Sequence, residues 1–290
     1  MTGMPIREST ATDADALQPE FPEAVPHRWR PDGISLTAEV DGEPVGMALS
    51  TPNAIHPTRD LLLVYVRPPF RRRGIATALV DRIRPHAGSP FSVKAYAGTG
   101  DHAFAVALGG VVYQTCPPMT VPTSHAGVRE WALRHRGETV AGTELPIDAV
   151  VDCWVTEYEV CHASWSPTAP REVLEERLSG IVTDETDLAR SRFSLDGDTI
   201  VAGCFLHPEE PRDVYGDSRG GHAEATVATP LVDHPVARSG LAACIADVLL
   251  EADGIDIGFD GHVTDPHFHP LLVTIPGVAG ETLHLLELPN

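Results

Sequence analysis

Three consecutive arginines followed by a glycine form the run of the sequence with the clearest chemical potential. The run reads Arg71-Arg72-Arg73-Gly74-Ile75-Ala76. Arginine side chains hydrogen-bond phosphate oxygens, and a glycine lets the backbone approach an anion without a Cβ in the way. A helical stripe begins directly after the glycine, and the first N–H groups of a helix favour negative charge. The run therefore predicts a turn that binds phosphate or diphosphate.

The elements around this turn indicate a mixed α/β fold. Residues 61–66, LLLVYV, form a continuous apolar run that predicts a buried strand, and Ile75, Leu79 and Ile83 share one face of the predicted helix. A hairpin over 34–49 with the turn Asp41-Gly42 precedes that strand. A strand over 91–97, a short helix over 103–108 and a final strand VVYQT follow the helix. Strands that alternate with helices in this way predict the α/β class.

The second half repeats the order of the first. Residues 192–206 form a second predicted hairpin around Asp196-Gly197, and Arg238-Ser239-Gly240 is a second Arg- and Gly-bearing turn before a helix. Helices are predicted over about 149–164, after Pro170, and from Gly240 to Leu250, with strands at 223–232 and 255–259. We therefore expect two domains, residues 1–145 and 146–290, with the polar stretch HRGETVAGTEL as a linker.

Val64-Tyr65-Val66 followed by RPPFRRRGIATALVDRI resembles the signature segment of the GNAT N-acetyltransferase superfamily. The family loop reads Gln/Arg-x-x-Gly-x-Gly/Ala, which Arg71, Gly74 and Ala76 match. The resemblance implies a mixed α+β GNAT fold and acetyl-CoA as co-substrate. It also implies that the backbone of the strand Val64, Tyr65 and Val66 binds the pantetheine arm. The pyrophosphate would then be bound by the N–H groups of Arg72, Arg73, Gly74, Ile75, Ala76 and Thr77.

The resemblance further implies which residues do the chemistry. Many family members take the amine proton with a carboxylate early on the strand before the loop, and the corresponding residue here is Asp60. The oxyanion would be stabilised by a backbone N–H of the same strand. The sequence departs from the family at Ala105, which stands where many members have a tyrosine that protonates the CoA thiolate. Water, Tyr65, Tyr96 or Tyr113 could replace that tyrosine.

The loop of the second half keeps Gly240 and Ala242 but has Ala237 in place of the first arginine. This favours a degenerate GNAT-like second domain, as in tandem GNAT proteins similar in plan to mycothiol synthase. Two other groups of residues in that half carry potential chemistry. His262, Asp265, His267 and His269 match no zinc spacing and predict an irregular loop, so we expect no metal. Tyr158, His162 and Trp165 share a helical face, which indicates a packed surface or an acceptor pocket.

Composition excludes several classes of protein. Residues 1–145 hold 15 acidic and 14 basic residues, a net charge of −1, so the remaining 145 residues carry −19 of the total −20. Such acidity disfavours nucleic acid as a partner and would attract a cationic amine. The single lysine, Lys94, is not in a P-loop, and the five cysteines form neither a CxxC pair nor a disulfide pattern. No apolar run is long enough for a membrane helix and no signal peptide is visible, so we expect a soluble cytoplasmic protein without a membrane partner.

We therefore predict an N-acetyltransferase that moves an acyl group from acetyl-CoA to the amine of a small molecule by direct attack on the thioester. The alternative is a non-catalytic acyl-CoA-binding sensor or scaffold, because the family's tyrosine is absent. The sequence identifies neither the acceptor nor the acyl chain.

Overall fold

A computed structural model describes residues 4–21, 33–207, 222–252 and 254–289. Within these residues the chain divides into two compact units. The first comprises the chain up to Tyr113 together with the C-terminal segment from Leu285, and the second extends from Gln114 to His284. The division therefore falls after Tyr113, earlier than the predicted boundary after Leu145.

The first unit contains the predicted hairpin, strands and helices in the expected order. It also contains a short strand and a helix near the N-terminus that the sequence patterns did not predict. Its elements are β1 (Ile6–Glu8), α1 (Ala11–Leu17), β2 (Ile34–Val40), β3 (Glu43–Pro52), β4 (Asp60–Val66), α2 (Ile75–Ile83), β5 (Phe91–Tyr96), α3 (Gly100–Ala107) and β6 (Val111–Cys116).

The seven-stranded sheet of the first unit includes a strand from the far end of the chain. Its order is β1-β2-β3-β4-β5-β13-β6, where β13 is Leu283–Leu288. Leu286 and Leu288 of this strand pack in the same core as Leu79 and Ile83 of α2. The C-terminal residues therefore complete the first sheet, although the sequence repeat assigned them to the second half.

The second unit repeats the hairpin, strand, helix and strand of the first. Its elements are β7 (Thr120–Pro122), α4 (Ala126–His135), β8 (Val140–Ala141), α5 (Ile147–His162), α6 (Arg171–Gly180), β9 (Arg192–Asp196), β10 (Thr199–His207), β11 (His222–Ala228), α7 (Ala237–Glu251), β12 (Asp256–Asp260) and α8 (Phe268–Leu272). The sheet order is β7-β12-β11-β10-β9-β8. This unit confirms the helices predicted near 149–164, after Pro170 and near 240–250.

Two predictions for the second half were wrong. The stretch expected to be a linker contains β8, whose Val140 and Ala141 pair with Phe193 and Arg192 of β9. The stretch expected to be an irregular loop contains α8, with Pro270 in its first turn. A proline is tolerated there because the first N–H groups of a helix have no intrahelical acceptor. Among the described residues, no helix has the length and apolar content needed to cross a membrane.

Candidate functional site

An opening between two parallel strands is the central feature of the first unit. β4 pairs with β3 along its whole length, from Asp60 opposite Pro52 to Val66 opposite Gly46. Its other edge pairs with β5 only at Asp60 and Leu61, which lie opposite Phe91 and Ser92. The strands diverge beyond that point. The β5-facing backbone groups of residues 62–66 are thus left for a ligand that binds as an additional strand.

The predicted phosphate turn lies at the open end of this gap. Arg72 and Gly74 both have left-handed backbone conformations, with φ of 61° and 79°. Gly74 is the N-cap of α2, and a Cβ built on it would meet no atom within 4 Å. The N–H groups of Ile75, Ala76 and Thr77 therefore begin the helix beneath open space, where an anion can accept from them.

The three arginines of the turn are exposed, and two of them lie over aromatic rings. Arg71 donates from Nε to the carbonyl oxygen of Val66 at 2.8 Å, and its guanidinium lies 5.8 Å from the centre of the Tyr65 ring. The guanidinium of Arg73 lies 5.2 Å from the centre of the Phe70 ring. Stacking of this kind orients an arginine while leaving other N–H donors for phosphate oxygens.

Other arginines near the turn in sequence have different surroundings. Arg67 forms a 3.0 Å ion pair with Glu20 and donates to the carbonyl oxygen of Ala16 at the end of α1. Arg82 lies in the last turn of α2, at the opposite end from Gly74. The positive charge at the anion site therefore comes from Arg71, Arg72 and Arg73.

Tyr65, between the two predicted pantetheine-binding residues, points toward α1. Its hydroxyl donates to Glu20 at 2.8 Å, and its ring stacks on Phe21 with the centroids 5.2 Å apart. Burial raises the pKa of Tyr65, and the hydrogen bond to Glu20 adds to that effect. This side chain organises the face of β4 that carries α1, so only its backbone faces the opening.

Asp60, the predicted catalytic carboxylate, begins β4 and is buried, with 6% of its surface exposed. Its Oδ2 accepts from the N–H groups of Gly88 at 2.8 Å and Ser89 at 3.4 Å. Asp60 lies on the same face of the strand as Leu62 and Val66, which pack in the core with α2. The carboxylate thus anchors the turn before β5 and lies on the sheet face that α2 covers. Its role as a general base stays a prediction.

Three further side chains lie at the closed end of the opening, on the sheet face opposite to Asp60. The sequence patterns did not predict this group. The hydroxyl of Tyr113 lies 2.8 Å from Oγ of Ser92, the last residue of β5 that pairs with β4. The guanidinium of Arg59 lies 4.0 Å from the centre of the Tyr113 ring and forms a 2.8 Å ion pair with Glu287. Burial raises the pKa of Tyr113, so its hydroxyl is protonated at neutral pH. Ala105, at the family's tyrosine position, is buried and carries no proton donor.

The corresponding strands of the second unit have no such opening. β11 and β12 pair in parallel at five successive positions, from His222 opposite Asp256 to Thr226 opposite Asp260. Gly240 lies inside α7, where an added Cβ would be 2.8 Å from Oγ of Ser194. The small residue is therefore needed for packing of the helix on the sheet, and the matching Gly-x-Ala spacing does not form a phosphate turn.

The two other groups of residues singled out in the second half contact each other. The ring of His262 lies 4.6 Å from that of Trp165 and 5.5 Å from that of His162. In contrast, Nε2 of His267 donates to the carbonyl oxygen of Val232 at 2.6 Å. Within the described residues, no group of three or more His, Cys, Asp or Glu side chains is arranged to hold a metal ion.

Comparisons with known proteins agree with this geometry. Residues 5–108 match the acetyltransferase (GNAT) family model. A solved GCN5-related N-acetyltransferase from Sphaerobacter thermophilus is 15% identical, with a TM-score of 0.57 over 99% of this chain and 96% of that chain. A tandem GNAT protein from the clavulanic acid biosynthesis pathway is 13% identical, with a TM-score of 0.59 over 99% of both chains. A GNAT acetyltransferase from Colwellia psychrerythraea is 11% identical, with a TM-score of 0.57 over 98% of this chain and 99% of that chain. The comparison with curated protein sequences gave no match.

Proposed function

We propose that the first unit transfers an acetyl group from acetyl-CoA to the amine of a small molecule, because residues 5–108 match the acetyltransferase (GNAT) family model and the whole chain shares the fold of a tandem GNAT protein. The observation that carries this proposal is the opening between β4 and β5, with the left-handed turn at Gly74 at its wide end. These two features together form a path from an anion site to the point where the strands meet.

In this proposal the pyrophosphate of acetyl-CoA binds the N–H groups from Arg72 to Thr77, assisted by the exposed guanidinium groups. The pantetheine arm extends along Val64 and Val66 toward Leu61. From Val66 to Leu61 the strand is about 16 Å long at its usual rise per residue. The thioester then lies near Ser92, where parallel pairing of the strands begins.

The amine nitrogen attacks the thioester carbonyl carbon, a backbone N–H of β4 stabilises the oxyanion, and the C–S bond breaks as the amide forms. One proton must leave the amine and one must reach the CoA thiolate. We propose Asp60 as the acceptor of the first, directly or through water, with Oδ1 as the receiving atom because Oδ2 accepts from Gly88 and Ser89. We propose Tyr113 as the donor of the second, since its hydroxyl lies beside Ser92 and is protonated at neutral pH.

We further propose that the second unit is a degenerate copy that does not bind acetyl-CoA. The continuous pairing of β11 with β12 supports this, because it leaves no backbone edge for a pantetheine arm. The packing of Gly240 against Ser194 supports it as well.

A non-catalytic acyl-CoA-binding protein is the second candidate. The observations that favour it are the buried Ala105 at the family's tyrosine position and the hydrogen bonds that hold Asp60 in the turn before β5. Release of free CoA thiol in the presence of a panel of polyamines, amino acids and aminoglycosides separates the two candidates. Release above the amine-free rate supports transfer, whereas binding of acetyl-CoA without release with any amine supports the sensor.

Binding at the proposed site is tested with a matched pair of glycine variants. Gly42 and Gly74 have nearly equal φ, 81° and 79°, and both face open space. A glutamate at either position is therefore strained to a similar degree, but only Gly74→Glu places a carboxylate where the pyrophosphate binds. We expect acetyl-CoA to raise the Tm of the wild type and of Gly42→Glu, and not of Gly74→Glu. An equal shift in both variants would place the cofactor elsewhere.

A further inference from the structure

The side chain of Arg71 folds back from the phosphate turn onto the end of β4. Its Nε donates to the carbonyl oxygen of Val66 at 2.8 Å, and its guanidinium lies 5.8 Å from the centre of the Tyr65 ring. Val66 is the last residue of β4, at the wide end of the opening. The arginine therefore binds a backbone group of the strand end that borders the opening.

The direction of the Val66 carbonyl follows from the pairing of β4. In an antiparallel pair, the N–H and C=O groups of alternate residues point to the partner strand. The N–H of Arg67 donates to the carbonyl oxygen of Val45 on the β3 side at 2.9 Å, and the N–H of Asp60 donates at 3.0 Å to the residue directly before β5. Residues 62, 64 and 66 share the direction of Asp60, so their backbone groups point into the opening.

This carbonyl is also one that the acyl donor needs. The pantetheine arm of acetyl-CoA contains two amide groups, and a strand edge binds amides as it binds a peptide. With the arm along Val64 and Val66, the carbonyl of Val66 is the first acceptor after the pyrophosphate. The guanidinium of Arg71 lies within hydrogen-bond distance of that carbonyl at the wide end, so it stands where the arm must pass. Arg71 and the pantetheine arm therefore compete for one position.

The charge of Arg71 is available for another partner. Arg71 is exposed, and among the described residues no carboxylate forms an ion pair with it. Arg67, by comparison, is held by its 3.0 Å ion pair with Glu20. A guanidinium can give a phosphate two parallel charge-assisted hydrogen bonds, whereas Arg71 gives the neutral carbonyl of Val66 one. A pyrophosphate at the turn is thus the stronger partner of Arg71.

We propose that Arg71 is a displaceable cap that makes the opening selective for thioesters that carry a pyrophosphate. Before the donor binds, Nε of Arg71 holds the carbonyl of Val66. When acetyl-CoA binds, its pyrophosphate takes the guanidinium and its pantetheine arm takes the carbonyl. A thioester with the same arm but no phosphate must break the hydrogen bond between Arg71 and Val66 without a new partner for the arginine. The inference rests on the proposed acetyl-CoA site and adds a role of Arg71 in donor selection.

The test measures how the full chain binds two donors with the same arm. S-acetylpantetheine has the acetyl thioester and both amides of acetyl-CoA but no phosphate, and ligand-observed NMR follows the acetyl methyl signal of either compound. Arg71→Met removes every donor of the side chain and keeps it unbranched. We expect this variant to bind acetyl-CoA about tenfold more weakly than the wild type, because a charge-assisted phosphate contact is lost. We expect it to bind S-acetylpantetheine about fivefold more tightly, because a competing hydrogen bond is removed.

Two control variants separate the cap from a general effect of positive charge. Arg73→Met removes an arginine of the same turn that lies over Phe70, and should weaken acetyl-CoA binding without strengthening that of S-acetylpantetheine. Arg82→Met removes an exposed charge at the other end of α2 and should change neither affinity. If Arg71→Met binds S-acetylpantetheine no more tightly than the wild type, or without saturation at millimolar concentrations, Arg71 is not a cap and the proposal is wrong.

The Gly74→Glu variant distinguishes this failure from a failure of the acetyl-CoA site. If Gly74→Glu leaves acetyl-CoA binding intact, the cofactor binds elsewhere, and the cap is wrong together with the proposed function. If Gly74→Glu abolishes acetyl-CoA binding while Arg71→Met and Arg73→Met bind S-acetylpantetheine alike, the site is correct and only the cap is wrong. Opposite effects of Arg71→Met on the two donors, absent in Arg73→Met, are the result that the proposal predicts.

Discussion

Replacing Glu157 by glutamine should change how the stability of the second unit depends on pH. The folded-state pKa of this buried carboxyl group is about 8, against an ordinary value of 4.5. Below pH 4.5 the group is protonated in both states. Between the two values the unfolded chain is ionised while the folded unit keeps its proton, so the free energy of unfolding falls as pH rises. Above pH 8 both states are ionised and the loss is complete.

The size of this effect follows from the two pKa values. One proton contributes about 1.4 kcal/mol per pH unit within the window. From pH 5 to pH 7 the wild type should lose roughly 2.5 kcal/mol of unfolding free energy relative to Glu157→Gln, after allowance for partial ionisation at pH 5. The glutamine oxygen can still accept from the N–H of Thr229, so the variant keeps the hydrogen bond and loses only the titration.

The measurement is denaturant unfolding at pH 5, 6, 7 and 8, followed by tryptophan fluorescence. Three of the four tryptophans, Trp131, Trp154 and Trp165, belong to the second unit and Trp29 precedes it in the chain, so the measurement is repeated with Trp29→Phe as the background for both proteins. Asp148→Asn, which changes an exposed carboxylate of the same helix, serves as the control and should parallel the wild type. A constant difference between the wild type and Glu157→Gln across this range, or a wild type that gains stability over the variant as pH rises, would refute the reasoning.

Three further predictions concern individual side chains. Asp60→Asn should lower kcat about 100- to 10,000-fold with little change in acetyl-CoA affinity, and a loss below roughly threefold with a lowered Tm would show that Asp60 only anchors the turn at Gly88. Tyr113→Phe should lower kcat about tenfold or more and leave the affinity for acetyl-CoA intact. The variant should also lose the decline of kcat at high pH, which a purely structural role of Tyr113 would leave unchanged. Gly240→Ala should lower the unfolding free energy of the second unit by about 1 to 3 kcal/mol in denaturant unfolding, because the added Cβ would approach Ser194. The control Ser239→Ala, at an exposed position, should unfold like the wild type. Both variants should bind acetyl-CoA normally, and weakened binding in either would implicate α7 in the cofactor site.

The local parts of the fold were predictable from the sequence because each has a local cause. The hairpin turns at Asp41-Gly42 and Asp196-Gly197, the apolar run of β4 and the helical stripe of α2 are all where the patterns placed them. The placement of β13 could not be predicted this way. Its apolar residues indicate a strand at most, and which sheet it joins depends on packing with residues far away in sequence.

The candidate site likewise has parts that the local sequence predicts and parts that it does not. The left-handed conformation at Gly74 follows from a glycine between a strand and a helix, whereas the divergence of β4 and β5 depends on their register, which has no signature within either strand. Gly240 misled the comparison of the two halves because glycine meets two needs, positive φ and close packing, and the sequence does not distinguish them. The contact between Trp165 and His262 joins segments almost a hundred residues apart, so each segment alone gave no reason to group them.

The most direct test of the central claim is a crystal structure of the chain with acetyl-CoA. The account predicts one acetyl-CoA per chain, with its pyrophosphate on the N–H groups from Arg72 to Thr77, its pantetheine arm along Val64 and Val66, and its thioester near Ser92. Acetyl-CoA bound between β11 and β12, or at a position that leaves the opening between β4 and β5 empty, would contradict it.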